Sequence, residues 1–386
     1  MKSFPVVNLE SDCYFTERAY LDDKYILLSP ETPVTGKLIN RLKRWKFDQI
    51  RSNGTLVDAP TVSEATTAEG TSLSIDQDVR EQSLLNEAQT FYSELASFVE
   101  KIFTNFVTRN ELFERPISDM VKHTIDMVRS HRRHILRLSD MEAKGKNYIV
   151  NHSAKTTILA VAVGLVIRMP PHKLIELGTA AVLHEIGMIR LPPQLYMSNK
   201  ELTDQEKKAI TAHTVLGFKI LKQFSFPMSV SLAVLECREN ADGSGYPRAL
   251  TADRISLYGK VLMVAGSYAA LTSIRPYRKS INGHAAILDM LKRKGQMYDE
   301  TVLRALIANL SIFPVGTYVE LADGRRGMVI DNDLENPMTP KVRVIAGPSG
   351  ELYAEQQIVD TATTKELRIA RAIAVDAVQK SGRSPE

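Results

Sequence analysis

Residues 180–187, Ala-Ala-Val-Leu-His-Glu-Ile-Gly, and residues 242–247, Asp-Gly-Ser-Gly-Tyr-Pro, decide how this chain is interpreted. The first stretch ends an apolar run on a histidine and a carboxylate, His184 and Glu185. Imidazole and carboxylate groups are common ligands of a divalent ion that activates water. A single such pair is more often part of a satisfied core, so its meaning depends on the other polar residues of the chain.

Length and composition indicate a soluble protein of two or three domains. The chain has 386 residues, of which 44% are hydrophobic and 24% are charged, as in ordinary globular proteins. Its net charge of +4 gives no electrostatic reason to expect DNA as a partner. The longest apolar run, residues 158–167, is far shorter than the roughly 20 residues of a membrane-spanning helix. Two distant cysteines, Cys13 and Cys237, fit a reducing compartment. We therefore expect a cytoplasmic protein without a membrane span.

Periodicity and composition divide the chain into five segments. We predict a small N-terminal α/β module over residues 1–54, a flexible acidic linker over 55–83, a helical domain over 84–310, a small β module over 311–362, and a terminal helix and tail over 363–386.

Two features of the helical segment carry further expectations. Thr203 and Glu206 have the spacing of a capping box, which we expect to open the helix that carries His213. Apolar residues from Phe91 to Phe106 recur at steps of three and four, and this stripe would suit the seam of a homodimer.

Over residues 148–290 the chain resembles the HD-GYP family, the bacterial domains that hydrolyse cyclic di-GMP. The resemblance rests on the order of Tyr148, His152, residues 180–187, Thr203, His213, Gly217, Glu239, residues 242–247 and residues 271–278. It implies a mainly α fold, an HD-domain helical bundle, here with a small N-terminal α/β module and a small C-terminal β module.

The resemblance also implies a set of metal ligands. His152, His184 and His213 fall on histidine positions of the family, and Glu185 stands where the family has a bridging aspartate. The extra methylene of a glutamate moves that carboxylate by more than about 1 Å, and catalysis is sensitive to such displacements.

At other positions the chain departs from the family pattern. Cys237 and Arg238 stand where the family has two adjacent histidines, Gly266 replaces an aspartate ligand, and Met188 replaces a lysine. An arginine does not ligate a metal, so we expect at most one divalent ion, such as iron or manganese, in a residual site. We therefore assign no catalytic residue, and whether the chain is an enzyme stays open.

The positions that contact the nucleotide are better preserved. Gly243, Gly245 and Pro247 keep the family's Gly-Tyr-Pro loop, in which the Tyr246 ring can stack on a base or bond a phosphate. The resemblance implies that Arg275 and Arg278 contact phosphate, and the guanidinium of Arg238 could hold a phosphate oxygen by a two-pronged hydrogen bond.

Three functions follow from these observations. The favoured one is a degenerate HD-GYP protein that binds cyclic di-GMP or a related nucleotide with little or no hydrolysis. The second is a scaffold that binds no nucleotide and docks another signalling protein through the Gly-Tyr-Pro loop or its end modules. The third is an active phosphodiesterase with an altered metal set.

Overall fold

The chain forms two compact units, Met1–Gln77 and Asp78–Glu386. The structure is a computed structural model that describes the following residues: 2–17, 19–21, 26–28, 32–44, 47–58, 72–137, 143, 145–197, 203–273, 280–331, 338–353 and 357–373, with backbone alone at 26–27 and 72–81.

The first unit is a small sheet module with one helix. Its strands are β1 (Lys2–Pro5), β2 (Tyr14–Phe15), β3 (Ala19–Tyr20), β4 (Ile26–Leu28), β5 (Gln49–Ser52) and β6 (Leu56–Val57), and its helix is α1 (Gly36–Arg44). Strands β1, β5, β3 and β4 form one antiparallel sheet in that order, and β2 pairs with β6. Phe15, Leu42 and Ile50 are fully buried between the helix and the strands. The predicted N-terminal α/β module is therefore present.

The second unit begins with a bundle of helices. These are α2 (Ser72–Arg109), α3 (Glu114–Ser130), α4 (Arg132–Ile135), α5 (Tyr148–Val166), α6 (Pro171–Leu183), α7 (Gln194–Met197), α8 (Asp204–Thr211), α9 (His213–Gln223), α10 (Met228–Glu236), α11 (Leu257–Leu271), α12 (Gly283–Lys292) and α13 (Glu300–Leu310), with a 3-10 turn over Ile186–Arg190. The prediction of a mainly α fold with a small module at each end is confirmed.

Helix α5 is the centre of the bundle and packs on α6, α11 and α13. It is the one helix of the described residues long and apolar enough to cross a membrane, but 89% of that stretch is buried inside the bundle. Asn147 opens it, because the Asn147 side chain accepts a hydrogen bond from the Val150 amide at 3.0 Å. The neighbouring Asn151 is also satisfied, since its Oδ1 accepts from Tyr92 Oη at 3.1 Å. The apolar character of α5 is therefore that of a core helix.

The capping box at Thr203 and Glu206 is confirmed, although it opens a shorter helix than expected. The Glu206 amide donates to Thr203 Oγ1 at 3.3 Å, and Glu206 Oε2 accepts from the Thr203 amide at 2.8 Å. Helix α8 ends at Thr211, and His213 is the first residue of the separate helix α9. His213 therefore lies at a helix start.

A five-stranded antiparallel sheet follows the bundle. Its strands are β7 (Tyr318–Leu321), β8 (Arg326–Asp331), β9 (Lys341–Ala346), β10 (Ile358–Asp360) and β11 (Ile369–Ala372), arranged in the order β10-β9-β8-β7-β11. The expected terminal helix is wrong for residues 369–372, because this segment pairs with β7 as an edge strand. Pairing with an available sheet edge outweighs the high helix propensity of Ala370, Arg371 and Ala372.

The structure differs from two predictions about the segment around α2. Helix α2 begins at Ser72, inside the stretch expected to be a flexible linker up to residue 83. The stripe from Phe91 to Phe106 does not lie free for a dimer, because Leu95 and Val99 are fully buried and Phe91 and Phe106 nearly so within the core of the bundle. The stripe therefore gives no support to a homodimer.

A close approach of two backbones at Gly187 supports the position of His213. A Cβ added at Gly187 would lie 1.9 Å from the His213 carbonyl oxygen and 2.6 Å from the Gly217 amide nitrogen. Only glycine fits there, since real side-chain carbons do not approach backbone atoms so closely.

We predict that Gly187→Ala lowers the free energy of unfolding by about 3 kcal/mol, because α9 must move away from the 3-10 turn. Urea unfolding measures the change. Gly36→Ala is the control, because nothing lies within 4 Å of a Cβ at that position in α1, and its stability should change little. Equal stability of Gly187→Ala and wild type would contradict the packing described.

A candidate metal centre closed by an arginine

Four chain segments converge on one buried cluster in the bundle. His152 comes from α5, His184 and Glu185 follow α6, His213 begins α9, and Arg238 follows α10. The three histidines are 1–2% exposed and Glu185 is 4% exposed. The structure therefore brings together the four predicted metal ligands and Arg238.

Two of the imidazoles are held with a lone pair facing the cluster. Nδ1 of His184 lies 2.7 Å from the Ala181 carbonyl oxygen, and Nδ1 of His213 lies 2.7 Å from the Ile210 carbonyl oxygen. A carbonyl only accepts, so each neutral ring carries its proton on Nδ1 and a lone pair on Nε2. Among the described residues, neither Nε2 atom has a hydrogen-bond partner. This is the arrangement that orients a histidine toward a cation.

Glu185 is the anion at the middle of the cluster. Its Oε1 lies 3.4 Å from His184 Nε2 and 3.6 Å from His152 Nε2, and its Oε2 lies 3.9 Å from His213 Nε2. Burial lowers the pKa of His184 to about 4 and also lowers the pKa of His213. Both rings are therefore neutral near pH 7, and a buried carboxylate needs its positive partner elsewhere.

Arg238 provides that partner. Its Nη2 donates a hydrogen bond to Glu185 Oε1, and its side chain is only 20% exposed. Burial would raise the pKa of Glu185, but the guanidinium and the surrounding imidazoles hold it well below its usual range. Burial works against the charge on Arg238 too, yet the Glu185 carboxylate raises the pKa of the guanidinium above its usual value. The two groups therefore form a buried ion pair.

Gly266 provides the room for this arginine. A Cβ added at Gly266 would lie 3.8 Å from Arg238 Nη1 and 3.9 Å from His152 Nε2. A longer side chain at this position of α11 would extend into the space between those two groups. Gly266, Arg238 and His152 therefore lie close together.

The third departure, Cys237, is not placed as a ready ligand. The thiol is buried, and burial raises its pKa to about 12. The thiol is therefore protonated at neutral pH as long as no cation binds it. Met188, at 9% exposure, is a core residue that carries no charge.

The Gly-Tyr-Pro loop contacts the same cluster. The Tyr246 amide donates to the Arg238 carbonyl oxygen at 3.1 Å, and the Tyr246 ring lies edge-on to His213 with ring centres 6.2 Å apart. A Cβ at Gly245 would lie 2.2 Å from the Asn240 amide nitrogen, and Gly243 adopts a φ of +81°. The backbone of the loop therefore requires both glycines. Pro247 completes the loop after a cis peptide bond.

Glu239 holds the far side of this loop. Its carboxylate is 1% exposed and accepts hydrogen bonds from the backbone amides of Arg248, at 2.7 Å, and Leu250, at 3.0 Å. A buried carboxylate with two backbone donors is a structural anchor, and here it fixes the residues that follow Pro247.

The donor set fits one divalent ion. One ligand atom each from His152, His184 and Glu185 lie within 4.8 Å of one another. The lone pairs on His184 and His213 Nε2 add to that fit. An ion bound by Glu185 Oε1 would compete with Arg238 for the same oxygen, so the cluster holds either the guanidinium or a metal at that atom. In the part of the chain that the structure describes, no second group of ligands lies beside Gly266.

Four further residues bear on the site: Arg275, Arg278, Tyr148 and Lys155. Arg275 and Arg278 lie outside the described residues. Tyr148, which stands before the first histidine, stacks on the His152 ring with centres 5.4 Å apart. Lys155, one helical turn beyond His152, is fully buried and donates to Ser273 Oγ at 3.0 Å. The burial of Lys155 could not be predicted from its position in an apolar run.

Comparison with known proteins agrees with this arrangement. Residues 124–302 match the HD domain family, and residues 318–381 match a KOW domain associated with HD domain. The cyclic di-GMP phosphodiesterase PdeB of Borreliella burgdorferi is 27% identical over 329 residues, which cover 85% of this chain and 84% of that protein. The cyclic di-GMP phosphodiesterase PA4108 of Pseudomonas aeruginosa is 31% identical over 244 residues, which cover 63% of this chain and 58% of that protein.

A solved structure with some likeness is Bd1817, an HDG"Y"P protein from Bdellovibrio bacteriovorus. It has a TM-score of 0.47 at 15% identity and covers 79% of this chain and 97% of that one. On the matches of sequence and the order of its motifs, the chain belongs to the HD-GYP family of HD-domain proteins.

The buried neutral histidines predict a stability that depends on pH. The pKa of His184 is about 4 when folded and 6.5 ordinarily, so the unfolded chain binds more protons between these values. The free energy of unfolding should therefore fall by about 3 kcal/mol from this residue as pH drops from 7 to 4. Urea unfolding across that range should show a shallower fall in His184→Asn. His172, exposed near the start of α6, is the control, and His172→Asn should follow wild type. Parallel curves for all three proteins would contradict the burial of a neutral His184.

We predict that Glu239→Ala lowers the free energy of unfolding by about 3 kcal/mol, because one buried and one partly buried amide lose their charged acceptor. Hydrogen exchange measured residue by residue should be faster at Arg248 and Leu250 in this variant. Glu94→Ala, at an exposed position of α2, is the control and should leave both amides protected. Unchanged exchange at both amides in Glu239→Ala would refute the anchoring role.

Proposed function

We propose that this chain is a cytoplasmic bacterial protein that binds cyclic di-GMP, or a related cyclic dinucleotide, in a signalling role with little or no hydrolysis. The observation that carries the proposal is the buried ion pair between Arg238 and Glu185 at the middle of the histidine cluster. The relatives named as cyclic di-GMP phosphodiesterases support the nucleotide class.

The ion pair bears on hydrolysis because of what a guanidinium can do. Two metals in a phosphodiesterase stabilise the attacking and the leaving oxygen, and a metal-bound water becomes a hydroxide near neutral pH. Arg238 carries positive charge but has no bound water to deprotonate. Its five donors in a planar fork match a phosphate group instead. The charge that remains in the cluster therefore favours binding over cleavage.

A single divalent ion on His152, His184 and Glu185 is compatible with this proposal. When bound, such an ion would polarise one phosphate oxygen. Within this chain, His184 would offer its Nε2 lone pair to such an ion, His213 would present a second lone pair nearby, and Glu185 would balance its charge. Arg238, released from Glu185, would remain close enough to meet the phosphate.

The loop residues complete the proposed ligand contacts. Tyr246 is held against His213 and beside the Arg238 backbone, so its ring borders the cluster. Burial raises the pKa of Tyr246 to about 12, so the phenol stays a hydrogen-bond donor at neutral pH. Arg275 and Arg278 are proposed phosphate contacts by family position.

One observation favours the active-enzyme alternative. The Nε2 lone pairs of His184 and His213 have no hydrogen-bond partner among the described residues, as expected of ligands prepared for a metal. An enzyme with an altered metal set would need Arg238 to leave Glu185 and a second ion to find other ligands.

Metal analysis of the purified protein together with a hydrolysis assay separates the two functions. We expect at most one divalent ion per chain and intact cyclic di-GMP after long incubation with added manganese. Two ions per chain with steady formation of the linear dinucleotide would overturn the proposal in favour of an active phosphodiesterase.

The role of Arg238 predicts a change in affinity. Arg238→Ala should weaken the binding of cyclic di-GMP at least tenfold in a calorimetric titration, because the charged hydrogen bonds to phosphate are lost. Arg238→Lys keeps the charge but loses the planar fork, so we expect intermediate affinity. Arg304→Ala, at a 75% exposed arginine of α13, is the control and should bind like wild type. Wild-type affinity in Arg238→Ala would refute a phosphate contact by this residue.

A further inference from the structure

A groove between α11 and α12 opens directly beside Arg238. It has a volume of about 570 Å³ and is lined by residues of both helices and by Tyr298. Drug-sized and cofactor ligands occupy pockets of roughly 300–1,000 Å³. Arg238 is the one group that both lines this groove and contacts Glu185 within the described part of the chain. Arg238 therefore lies between the groove and the histidine cluster.

The groove is lined by both polar and apolar residues. Leu271, Ile281 and Leu288 are among the apolar ones, and Leu288 keeps 41% of its surface exposed. Arg238, Lys292 and Arg293 contribute positive charge to the same groove. A flat aromatic ring suits the apolar residues, and an anion suits the three cations.

Asp289 is the acceptor in this otherwise cationic groove. Its side chain is 35% exposed, and its Oδ2 lies 3.6 Å from Arg293 Nε, which is too long for a firm hydrogen bond. The carboxylate is therefore only loosely held by the next turn of α12. It can accept hydrogen bonds from a ligand without breaking a strong internal contact.

We propose that this groove binds a guanine base. Asp289 accepts hydrogen bonds from the base, and Arg238 and Lys292 bind the adjoining phosphate. The inference rests on the proposed binding function and names the part of the ligand that it recognises. Guanine presents two neighbouring donors, N1–H and the N2 amino group, and an ionised carboxylate is acceptor-only, so one carboxylate satisfies both. Adenine presents a lone pair at N1 and would face the carboxylate with a repulsive contact. Asp289 thus selects guanine over adenine.

Calorimetric titration of the full chain with cyclic di-GMP and with cyclic di-AMP tests this assignment. Asp289→Asn should weaken binding of cyclic di-GMP at least tenfold, because a site built for two donors then offers one acceptor and one donor. The same substitution should narrow the preference for cyclic di-GMP over cyclic di-AMP. Asp289 is partly exposed and nearly isosteric with asparagine, so the fold should persist, which thermal unfolding checks.

Asp119→Asn is the matched control, because Asp119 also forms an exposed ion pair within one helix, with Lys122 of α3. The affinities of Asp119→Asn for both dinucleotides should equal those of wild type. If Asp289→Asn also coincides with wild type while Arg238→Ala binds weakly, the base does not lie in this groove and the inference fails, although the proposed function stands. If wild type binds neither dinucleotide, the proposed function fails and this inference fails with it.

Discussion

The buried ion pair between Arg238 and Glu185 sets the character of this site. Removing one partner of a buried pair typically costs about 3–5 kcal/mol, because the other charge is left without compensation. The imidazoles of His184 and His213 cannot take the place of the guanidinium at neutral pH, since burial keeps them uncharged. Arg238 is consequently the resident cation of the cluster, and any metal must compete with it for Glu185.

Glycines at three points make this arrangement possible. Gly187 lets the 3-10 turn that follows Glu185 touch the backbone of α9, Gly245 lets the Gly-Tyr-Pro loop fold back on Asn240, and Gly266 leaves room for the guanidinium. The first two are backbone contacts that any side chain would break. The third is a matter of side-chain volume. The backbone contacts at Gly187 and Gly245 therefore fix the shape of the loop and the cluster. The chemistry of the cluster depends on the side chains that lie beside Gly266.

Sequence patterns predicted the helical bundle, both end modules and the meeting of His152, His184, Glu185 and His213, because motif order reflects a shared fold. They did not predict the partner of Arg238, because Glu185 lies 53 positions away in the chain. The strand over Ile369–Ala372 was mistaken for a helix, since an edge of a sheet is a tertiary feature without a local signal. Asp289 was missed for a similar reason. An acidic residue four positions before an arginine looks like an ordinary surface pair.

The central claim is that a guanidinium takes the place of the second metal, and anomalous diffraction from crystals soaked in manganese tests it most directly. We expect Arg238 to contact Glu185, or to be displaced from it by a single ion bound to His152, His184 and Glu185. In either state no second peak should lie beside Gly266. Two manganese peaks separated by about 3.5–4 Å, with Arg238 turned away, would contradict the account and return the chain to the two-metal phosphodiesterases.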